Sequence, residues 1–252
     1  MRKRALLKVK KNQSSNSQEK KRGKQVAEMF GRIAGWYDFL NHLLSAGQDI
    51  YWRQRLVRSV RLRQTERVLD LAAGTLDVSL EILRQYPKAK VFALDFSPPM
   101  LAKGKKKLAT GSSLDVVPVC ADAKGLPLPD SSMDSALMAF GIRNILPREA
   151  AYAEIFRVLS PGGRLGILEF GTGQNKICKG LYNFYLHYLL PQVGRIFSGD
   201  AGAYSYLAQS IKSFPAARHL ARELLDNGFS QVAYQPLCAG IVYLHWAVKA
   251  EN

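Results

Sequence analysis

Short apolar runs alternate with amphipathic stretches along most of the chain. The apolar runs, bounded by polar or turn residues, predict strands over 67–71, 90–94, 115–119, 134–140, 164–170, 229–235 and 241–249. Helical periodicity between them predicts helices over 76–85, 98–109, 148–159 and 215–226. Strands that alternate with helices favour an α/β fold, in which a mostly parallel sheet is covered on both faces.

Two regions depart from this alternation. Residues 26–44 are rich in apolar and aromatic side chains and predict one helix, with a second helix around 50–60. Residues 171–215 interrupt the alternation and include an aromatic segment, 181–190. We therefore expect a helical N-terminal extension and an insertion, both within a single domain over residues 25–252.

The net charge of +16 is concentrated at the N-terminus. Residues 1–24 contain ten Lys or Arg and one acid, Glu19, and the polar stretch 12–18 has no periodicity. This composition predicts a disordered arm. The arm is either a solvated tail or a surface that attracts anionic lipid or nucleic acid, and composition does not separate these readings.

The remaining composition narrows the class of protein. No apolar run approaches the roughly 20 residues that span a bilayer. The three cysteines are widely spaced, which argues for reduced thiols in the cytoplasm and against a disulfide framework or a zinc cluster. The four histidines show no spacing typical of metal ligands, so we expect no metal.

Acidic residues close the first two predicted strands. Asp70 ends the first, before a loop with a single glycine, Gly74, and Asp95 ends the second. In a doubly wound sheet, a carboxylate at the second position accepts hydrogen bonds from ribose hydroxyls. A dinucleotide site would require G-x-G-x-x-G to hold its pyrophosphate. S-adenosylmethionine contains adenosine without phosphate, so the segment favours a methyltransferase over a dehydrogenase.

Polar residues also follow the third and fourth strands, where open α/β sheets bind ligands. Asp122 can accept the adenine amino group, and Ala123 beside it leaves room for the ring. The segment Phe140-Gly141-Ile142-Arg143-Asn144 follows the fourth strand. Later segments include Pro161-Gly162-Gly163 and Tyr204-Ser205-Tyr206-Leu207.

With these segments, the chain resembles the ubiquinone/menaquinone biosynthesis C-methyltransferases over residues 25–249. Those are class I S-adenosylmethionine-dependent enzymes that methylate a prenylated quinol ring. The resemblance implies a Rossmann-like fold, a seven-stranded mostly parallel sheet whose last strand is antiparallel. It also implies that residues 171–215 form a lid over an apolar substrate cleft.

The resemblance also implies a cofactor site for S-adenosylmethionine. The position of Thr75 contacts the methionine part, that of Asp95 the ribose, and those of Asp122 and Ala123 the adenine. We place four more residues in this cofactor site: Asp70, Gly74, Phe96 and Ala139.

The two candidate catalytic residues are Arg143 and Asn144. Arg143 would hold the developing oxyanion or a water that acts as base, and Asn144 would place a ring oxygen. Because arginine stays protonated in proteins, Arg143 is not itself the base. The alternative for Arg143 is a surface ion pair. The reaction we expect converts demethylmenaquinol to menaquinol, although the residues leave a benzoquinol open.

Two positions depart from the family pattern. Leu76 stands where the family usually has glycine, which adds a side chain beside the cofactor and removes access to positive φ. Ala139 stands where relatives often have serine. These differences motivate one alternative, a non-catalytic protein with a weakened cofactor site.

The excess of Lys and Arg over Asp and Glu motivates the other alternative, a nucleic-acid methyltransferase. Such an enzyme should carry Asn-Pro-Pro-Tyr or Asp-Pro-Pro-Tyr after the fourth strand, or a Pro-Cys pair, and this sequence contains none of them. Nucleic acid is therefore not an expected partner. We expect a cytoplasmic protein that contacts the inner face of the membrane through its basic arm, and the sequence allows a homodimer.

Overall fold

A computed structural model of the chain describes residues 21–109, 115–171 and 201–251. Within these ranges seven strands form one sheet: β1 Arg67–Leu71, β2 Lys90–Asp95, β3 Val116–Cys120, β4 Met133–Ala139, β5 Leu159–Phe170, β6 Phe229–Leu237 and β7 Val242–Lys249. The helices of the same ranges are α1 over 21–33, α2 Tyr37–Leu44, α3 Gln48–Ser59, α4 Asp77–Gln85, α5 Pro98–Leu108, α6 Arg148–Val158, α7 Ala201–Ser213 and α8 Ala217–Asp226.

The strands are ordered β3-β2-β1-β4-β5-β7-β6 across the sheet. The first five are parallel, whereas β7 is antiparallel to both β5 and β6. The predicted α/β fold with an antiparallel last strand is therefore confirmed. The chain leaves β1 in one direction towards β2 and returns on its other side at β4. Ligands of open α/β sheets bind at this switch point, beyond the carboxyl ends of the strands.

Side-chain alternation along the strands builds a core on each face of the sheet. Leu69 and Met138 pack on one face with residues of α6 and α8. Val68 and Leu137 pack on the other with residues of α3 and α4. Continuous apolar strands such as β1 and β4 are typical of a sheet buried on both sides.

The predicted helix over 26–44 is two helices, which corrects the sequence analysis. The chain turns at residues 34–36 between α1 and α2. The Lys103 ammonium group of α5 donates to Ala34 O at 2.7 Å and Gly35 O at 2.9 Å, which satisfies carbonyls that a continuous helix would have bonded internally. Residues 21–24, assigned to the arm, are helical, and residues 1–20 lie outside the described ranges.

Most of the predicted lid also lies outside the described ranges, including the aromatic segment 181–190. Its described part is α7, which packs against α1 and α2 through Ala203 and Ile211. No helix in the described part of the chain is long and apolar enough to cross a membrane.

Leu76 does not project beside the cofactor position, which corrects a second expectation. It adopts a left-handed conformation, with φ of 68°, and is fully buried. Its side chain packs with Ala73, Ala93 and Leu101. It also fills the space left by Gly104 of α5, where an added Cβ would lie 2.4 Å from Leu76 Cγ. The leucine is therefore accommodated by the core, at a backbone strain of about 1 kcal/mol.

Candidate active site

The loop after β1 is folded over the carboxyl end of β2. Ala72 and Gly74 both have positive φ, 55° and 53°. The Ala73 N–H donates to Leu94 O at 3.0 Å, and the Gly74 N–H donates to Asp95 Oδ2 at 2.8 Å. Left-handed residues of this kind concentrate at ligand sites. The loop thus brings the Gly74 N–H to the carboxylate that closes β2.

Asp95 is fixed from two sides. Besides Gly74, the Ser97 N–H donates to its Oδ1 at 2.7 Å. Burial raises the pKa of the Asp95 carboxyl, and the backbone donors of Ser97 and Gly74 only partly oppose that effect. Each carboxylate oxygen can accept a further hydrogen bond. The side chain is therefore oriented to accept two hydroxyl groups of a ligand.

A first cavity of about 650 Å³ opens beside Asp95. Seven of the predicted site residues line this first cavity: Gly74, Asp95, Phe96, Asp122, Ala123, Ala139 and Asn144. Asp122 accepts a hydrogen bond from the Lys124 N–H at 3.0 Å, which orients its half-exposed carboxylate. The structure thus brings together residues from the ends of β1 to β4.

Asp70 lies beneath this cavity and is not among the residues that line it. The side chain is fully buried, and its Oδ2 accepts a hydrogen bond from Ser79 Oγ at 2.6 Å. Its Oδ1 is buried without a hydrogen-bond partner in the described structure. Burial raises the pKa of the Asp70 carboxyl to about 7, against the opposing hydrogen bonds of Ser79. Asp70 supports the loop from below through α4.

A second cavity, of about 490 Å³, lies on the other side of the loop. Its walls are largely apolar and aromatic, with contributions from Phe30, Leu40, Trp52, Phe170, Leu207 and Ile241. A few polar side chains interrupt these walls, among them Asn41, Asp49, Arg53, Thr75 and Arg143. Apolar walls with a few placed polar groups are typical of sites for small organic ligands.

The two cavities share a wall. Six residues line both: Phe30, Tyr37, Ala72, Gly74, Ala139 and Phe140. Three of these are Gly or Ala, so little side-chain volume separates the cavities at that point. Burial raises the pKa of the Tyr37 hydroxyl, so it stays protonated at neutral pH. The arrangement places two ligands next to each other across Ala139 and Gly74.

Arg143 lines the second cavity and is held by a buried ion pair. Its Nη1 donates to Glu169 Oε1 at 2.8 Å and also to Phe140 O, and its N–H donates to Glu169 Oε2 at 3.2 Å. The guanidinium carbon lies 5.3 Å from the centre of the Phe170 ring. The alternative of a surface ion pair is therefore wrong, because both side chains are almost fully buried.

Glu169 was missed as a site residue. A lone acid near the end of the apolar strand β5 is a signal that could have found it, since such an acid requires a buried partner. Asn144 takes a different place from Arg143. It lines the first cavity, and its Oδ1 accepts a hydrogen bond from Tyr206 Oη of α7 at 3.0 Å.

Thr75 joins the loop to α2. Its hydroxyl donates to Asp38 Oδ1 at 2.6 Å, and Lys103 and Lys107 lie 3.1 and 3.0 Å from Asp38 Oδ2. Burial raises the pKa of Asp38, but the hydrogen bonds from Thr75 and Lys107 outweigh it, so the pKa is lowered overall. Asp38 is consequently an anion that links the helices above the cavity to the loop below it.

A second buried carboxylate, Asp49, was also missed. It accepts hydrogen bonds from Ser45 Oγ at 2.8 Å and Arg53 Nη2 at 2.6 Å, and His42 Nδ1 lies 2.6 Å away. Arg53 also lies 3.6 Å from Asp77. Asp49, Arg53 and Asp77 of this charged cluster all line the second cavity.

The first cavity fits S-adenosylmethionine. Asp95 offers two acceptors for ribose hydroxyls, the small side chains of Ala123 and Ala139 leave room for rings, and no phosphate cradle is present in the described loop. A cofactor site of this kind, on a sheet whose last strand is antiparallel, defines the class I S-adenosylmethionine-dependent methyltransferases. Within that class, the chain belongs to the ubiE/COQ5 methyltransferase family, whose model matches residues 15–249.

Curated relatives agree with this assignment. The chain is 40% identical over 230 residues to the ubiquinone/menaquinone biosynthesis C-methyltransferase UbiE of Geobacter sulfurreducens, covering 90% of each chain. It is 42% identical over 217 residues to the demethylmenaquinone methyltransferase of Thermus thermophilus, covering 86% of this chain and 98% of the relative.

Solved structures share the fold at low identity. The [4+2]-cyclase SpnF superposes with a TM-score of 0.69 at 16% identity, over 91% of this chain and 97% of the cyclase. Phosphoethanolamine N-methyltransferase 2 of Haemonchus contortus, solved with S-adenosyl-L-methionine, gives 0.60 at 13% identity, over 79% and 52%.

Proposed function

We propose that the chain methylates a ring carbon of a prenylated quinol, with demethylmenaquinol as the favoured acceptor and S-adenosylmethionine as the donor. Family membership and the names of the curated relatives support the reaction. The structural observation that carries it is the wall that the two cavities share. A donor in the first cavity and an acceptor ring in the second would meet across small residues, as direct transfer requires.

Asp95 would bind the ribose, and Asp122 and Ala123 the adenine. Gly74 and Ala139 would admit the methionine part towards the shared wall, Phe96 would cover the adenine, and Thr75 would act through its bond to Asp38. Asp70 would hold the loop rather than touch the cofactor. When bound, the cofactor supplies an electrophilic methyl group.

The second cavity would bind the quinol. Its aromatic and aliphatic walls suit a fused ring and the first part of a prenyl chain, because burying apolar surface there stabilises the complex by about 25 cal/mol per Å². The described part of the predicted lid supports this reading, since Ala203, Tyr206, Leu207 and Ile211 of α7 line the cavity.

Arg143 would stabilise the quinol oxygen as its hydroxyl proton leaves to water. The negative charge that develops on that oxygen raises the nucleophilicity of the neighbouring ring carbon. Glu169 fixes the guanidinium in place, so that little reorganisation accompanies the reaction. Asn144 lines the first cavity and not the second, so the predicted role of placing a quinol oxygen does not fit its position. Its amide, which Tyr206 orients, would contact the cofactor instead.

The experiment that tests this role replaces Arg143. For Arg143→Ala we expect turnover to fall by about 10²–10³-fold, the usual loss for one donor to a developing oxyanion. S-adenosylmethionine affinity, measured by calorimetry, should stay within about threefold, because Arg143 lines only the second cavity.

A second variant guards against misfolding, because Arg143→Ala leaves Glu169 buried and unpaired. The double variant Arg143→Met with Glu169→Gln removes both charges and should lose turnover to the same degree. Arg222→Ala, on the exposed side of α8, is the matched control. Turnover that survives in the double variant would contradict the role of Arg143.

The cell location and partners follow as further parts of the proposal. A prenylated substrate and a basic N-terminal segment support peripheral attachment to an anionic membrane, with the rest of the protein in the cytoplasm. Binding to anionic vesicles that weakens at high salt would support it. The homodimer and the division into an arm over 1–24 and one domain remain predictions.

A further inference from the structure

Exposed large apolar side chains are concentrated in one part of the described structure. Five of them lie between residues 36 and 51, each 45–49% exposed: Trp36, Phe39, Leu43, Ile50 and Tyr51. We call these five residues the α2–α3 apolar face. Trp36, Phe39 and Leu43 are spaced i, i+3 and i+7, which places them on one side of α2. Ile50 and Tyr51 follow in the first turn of α3.

Other residues of the same two helices line the second cavity. Leu40 and Leu44 of α2 and Trp52 of α3 contribute to its walls. The same two helices therefore carry the α2–α3 apolar face and part of the wall of the substrate cavity. A ligand that partitions into an apolar phase at this face would lie against helices that form part of the cavity wall.

Exposed basic side chains lie on α1, the helix that precedes the face in the chain, and three of them, Lys21, Arg22 and Lys24, also line the first cavity. Lys21, Arg22, Lys24 and Arg32 of α1 are exposed, and among residues 21–60 Glu28 is the only exposed acid. The other two acids of that range, Asp38 and Asp49, are paired with lysine and arginine. Lys105 and Lys106 extend the basic surface along α5, which contacts the start of α2 through Lys103.

We propose that the α2–α3 apolar face inserts into the interface of an anionic lipid bilayer. Half-exposed aromatic and aliphatic residues flanked by Lys and Arg have the composition of segments that lie in the plane of a membrane interface. Anionic head groups are opposite in sign to the basic side chains of α1 and α5, so the two attract. The inference deepens the proposed function, because a prenylated quinol would then pass from the bilayer into the second cavity.

The test is sedimentation of the full chain with vesicles of phosphatidylcholine, with and without phosphatidylglycerol. The double variant Leu43→Ser with Ile50→Ser should lower the partition coefficient on anionic vesicles by at least about tenfold, since two apolar anchors are lost. Leu225→Ser is the matched control, because Leu225 is 52% exposed on α8. The control should bind within about twofold of the wild type.

Activity separates this surface from the catalytic site. Neither Leu43 nor Ile50 lines a cavity, so turnover of a short-chain, water-soluble quinol should be unchanged in the double variant. Turnover of a long-chain quinol embedded in vesicles should fall with binding. If the wild type binds vesicles through this face but methylates no quinol, the proposed function fails and the surface assignment stands.

Two outcomes overturn the assignment. One is vesicle binding by the double variant equal to that of the wild type. The other is a wild-type dimer in light scattering that the double variant converts to a monomer without any change in vesicle binding, which would make the face an interface between two copies of this chain.

Discussion

The two cavities of this enzyme are built in different ways. The first lies at the carboxyl ends of the parallel strands, and its main polar group, Asp95, is oriented by the backbone N–H groups of Gly74 and Ser97. The second lies between the sheet and helices α1, α2, α3 and α7, and its polar groups are held by side chains distant in the sequence, such as Glu169 for Arg143. Backbone groups orient Asp95 in the first cavity, whereas a side-chain pair holds Arg143 in the second.

This difference has a consequence for what a substitution does. A change at Asp95 would remove a proposed ligand contact that backbone groups orient, and it leaves no charged partner unpaired. A change in the second cavity also disturbs the pair that holds its partner. Variants of the two regions should therefore differ in how far binding, turnover and stability change together.

The largest effect on binding is expected at Asp95. Asp95→Ala should weaken S-adenosylmethionine binding by at least about a hundredfold, because two charge-assisted hydrogen bonds of about 1.5–3 kcal/mol each are lost. Calorimetric titration measures it, with Asp226→Ala on α8 as the exposed control. Affinity that changes by less than a few-fold would show that ribose is bound elsewhere.

The next effect concerns stability and pH. Burial raises the pKa of the Asp70 carboxyl to about 7 in the folded protein, whereas in the unfolded chain that pKa is near 4. Between these two pH values the folded protein therefore keeps a proton that the unfolded chain has released. Stability contributed by that proton is present at low pH and is lost as pH rises through 7. Between pH 5 and pH 7 the loss should be about 2 kcal/mol.

Asp70→Asn removes this titration and keeps an acceptor for Ser79. Urea unfolding at a series of pH values should show wild-type stability relative to the variant falling by that amount across the window. Parallel pH dependence in both proteins would mean that the pKa of Asp70 is not raised.

A smaller effect should couple the two regions. Asp38 of α2 accepts the Thr75 hydroxyl, so it joins the helices of the second cavity to the loop of the first. Asp38→Ala should raise both the Kd for S-adenosylmethionine and the KM for the quinol by about five- to tenfold, because one charge-assisted hydrogen bond is lost. Loss confined to one ligand would show that the two regions are independent.

The smallest effect is expected at Leu76. Leu76→Gly relieves a left-handed conformation but opens a cavity against Gly104, and these changes oppose each other. S-adenosylmethionine affinity should change by less than about threefold, because Leu76 lines neither cavity. A large gain in affinity would instead revive the interpretation of a weakened cofactor site.

The same contrast explains what sequence reasoning could predict. Strand ends follow from local apolar patterns, so six of the seven strands lie within two residues of the prediction. The start of β5 was misplaced because Leu159 pairs with Met133 before the Pro-Gly-Gly turn, a matter of register with β4. Asp95, Asp122 and Ala123 were placed together because they end neighbouring parallel strands.

The rest depends on contacts between distant residues. The break between α1 and α2 is stabilised by Lys103, and the apolar pattern over 26–44 carries no sign of it. The pairing of Arg143 with Glu169 depends on how a short turn after β4 sits beside the end of β5. Such pairs can be expected from lone buried charges, but their partners cannot be chosen before the fold is known.

The central claim is that a methyl group reaches a ring carbon of a prenylated quinol. The direct measurement incubates the purified chain with methyl-labelled S-adenosylmethionine and reduced demethylmenaquinone, and locates the label by mass spectrometry and NMR. The account predicts a labelled methyl on the ring carbon, in an amount that falls with Arg143→Ala. A labelled methyl ether, or no transfer from a protein that binds both ligands, would contradict it.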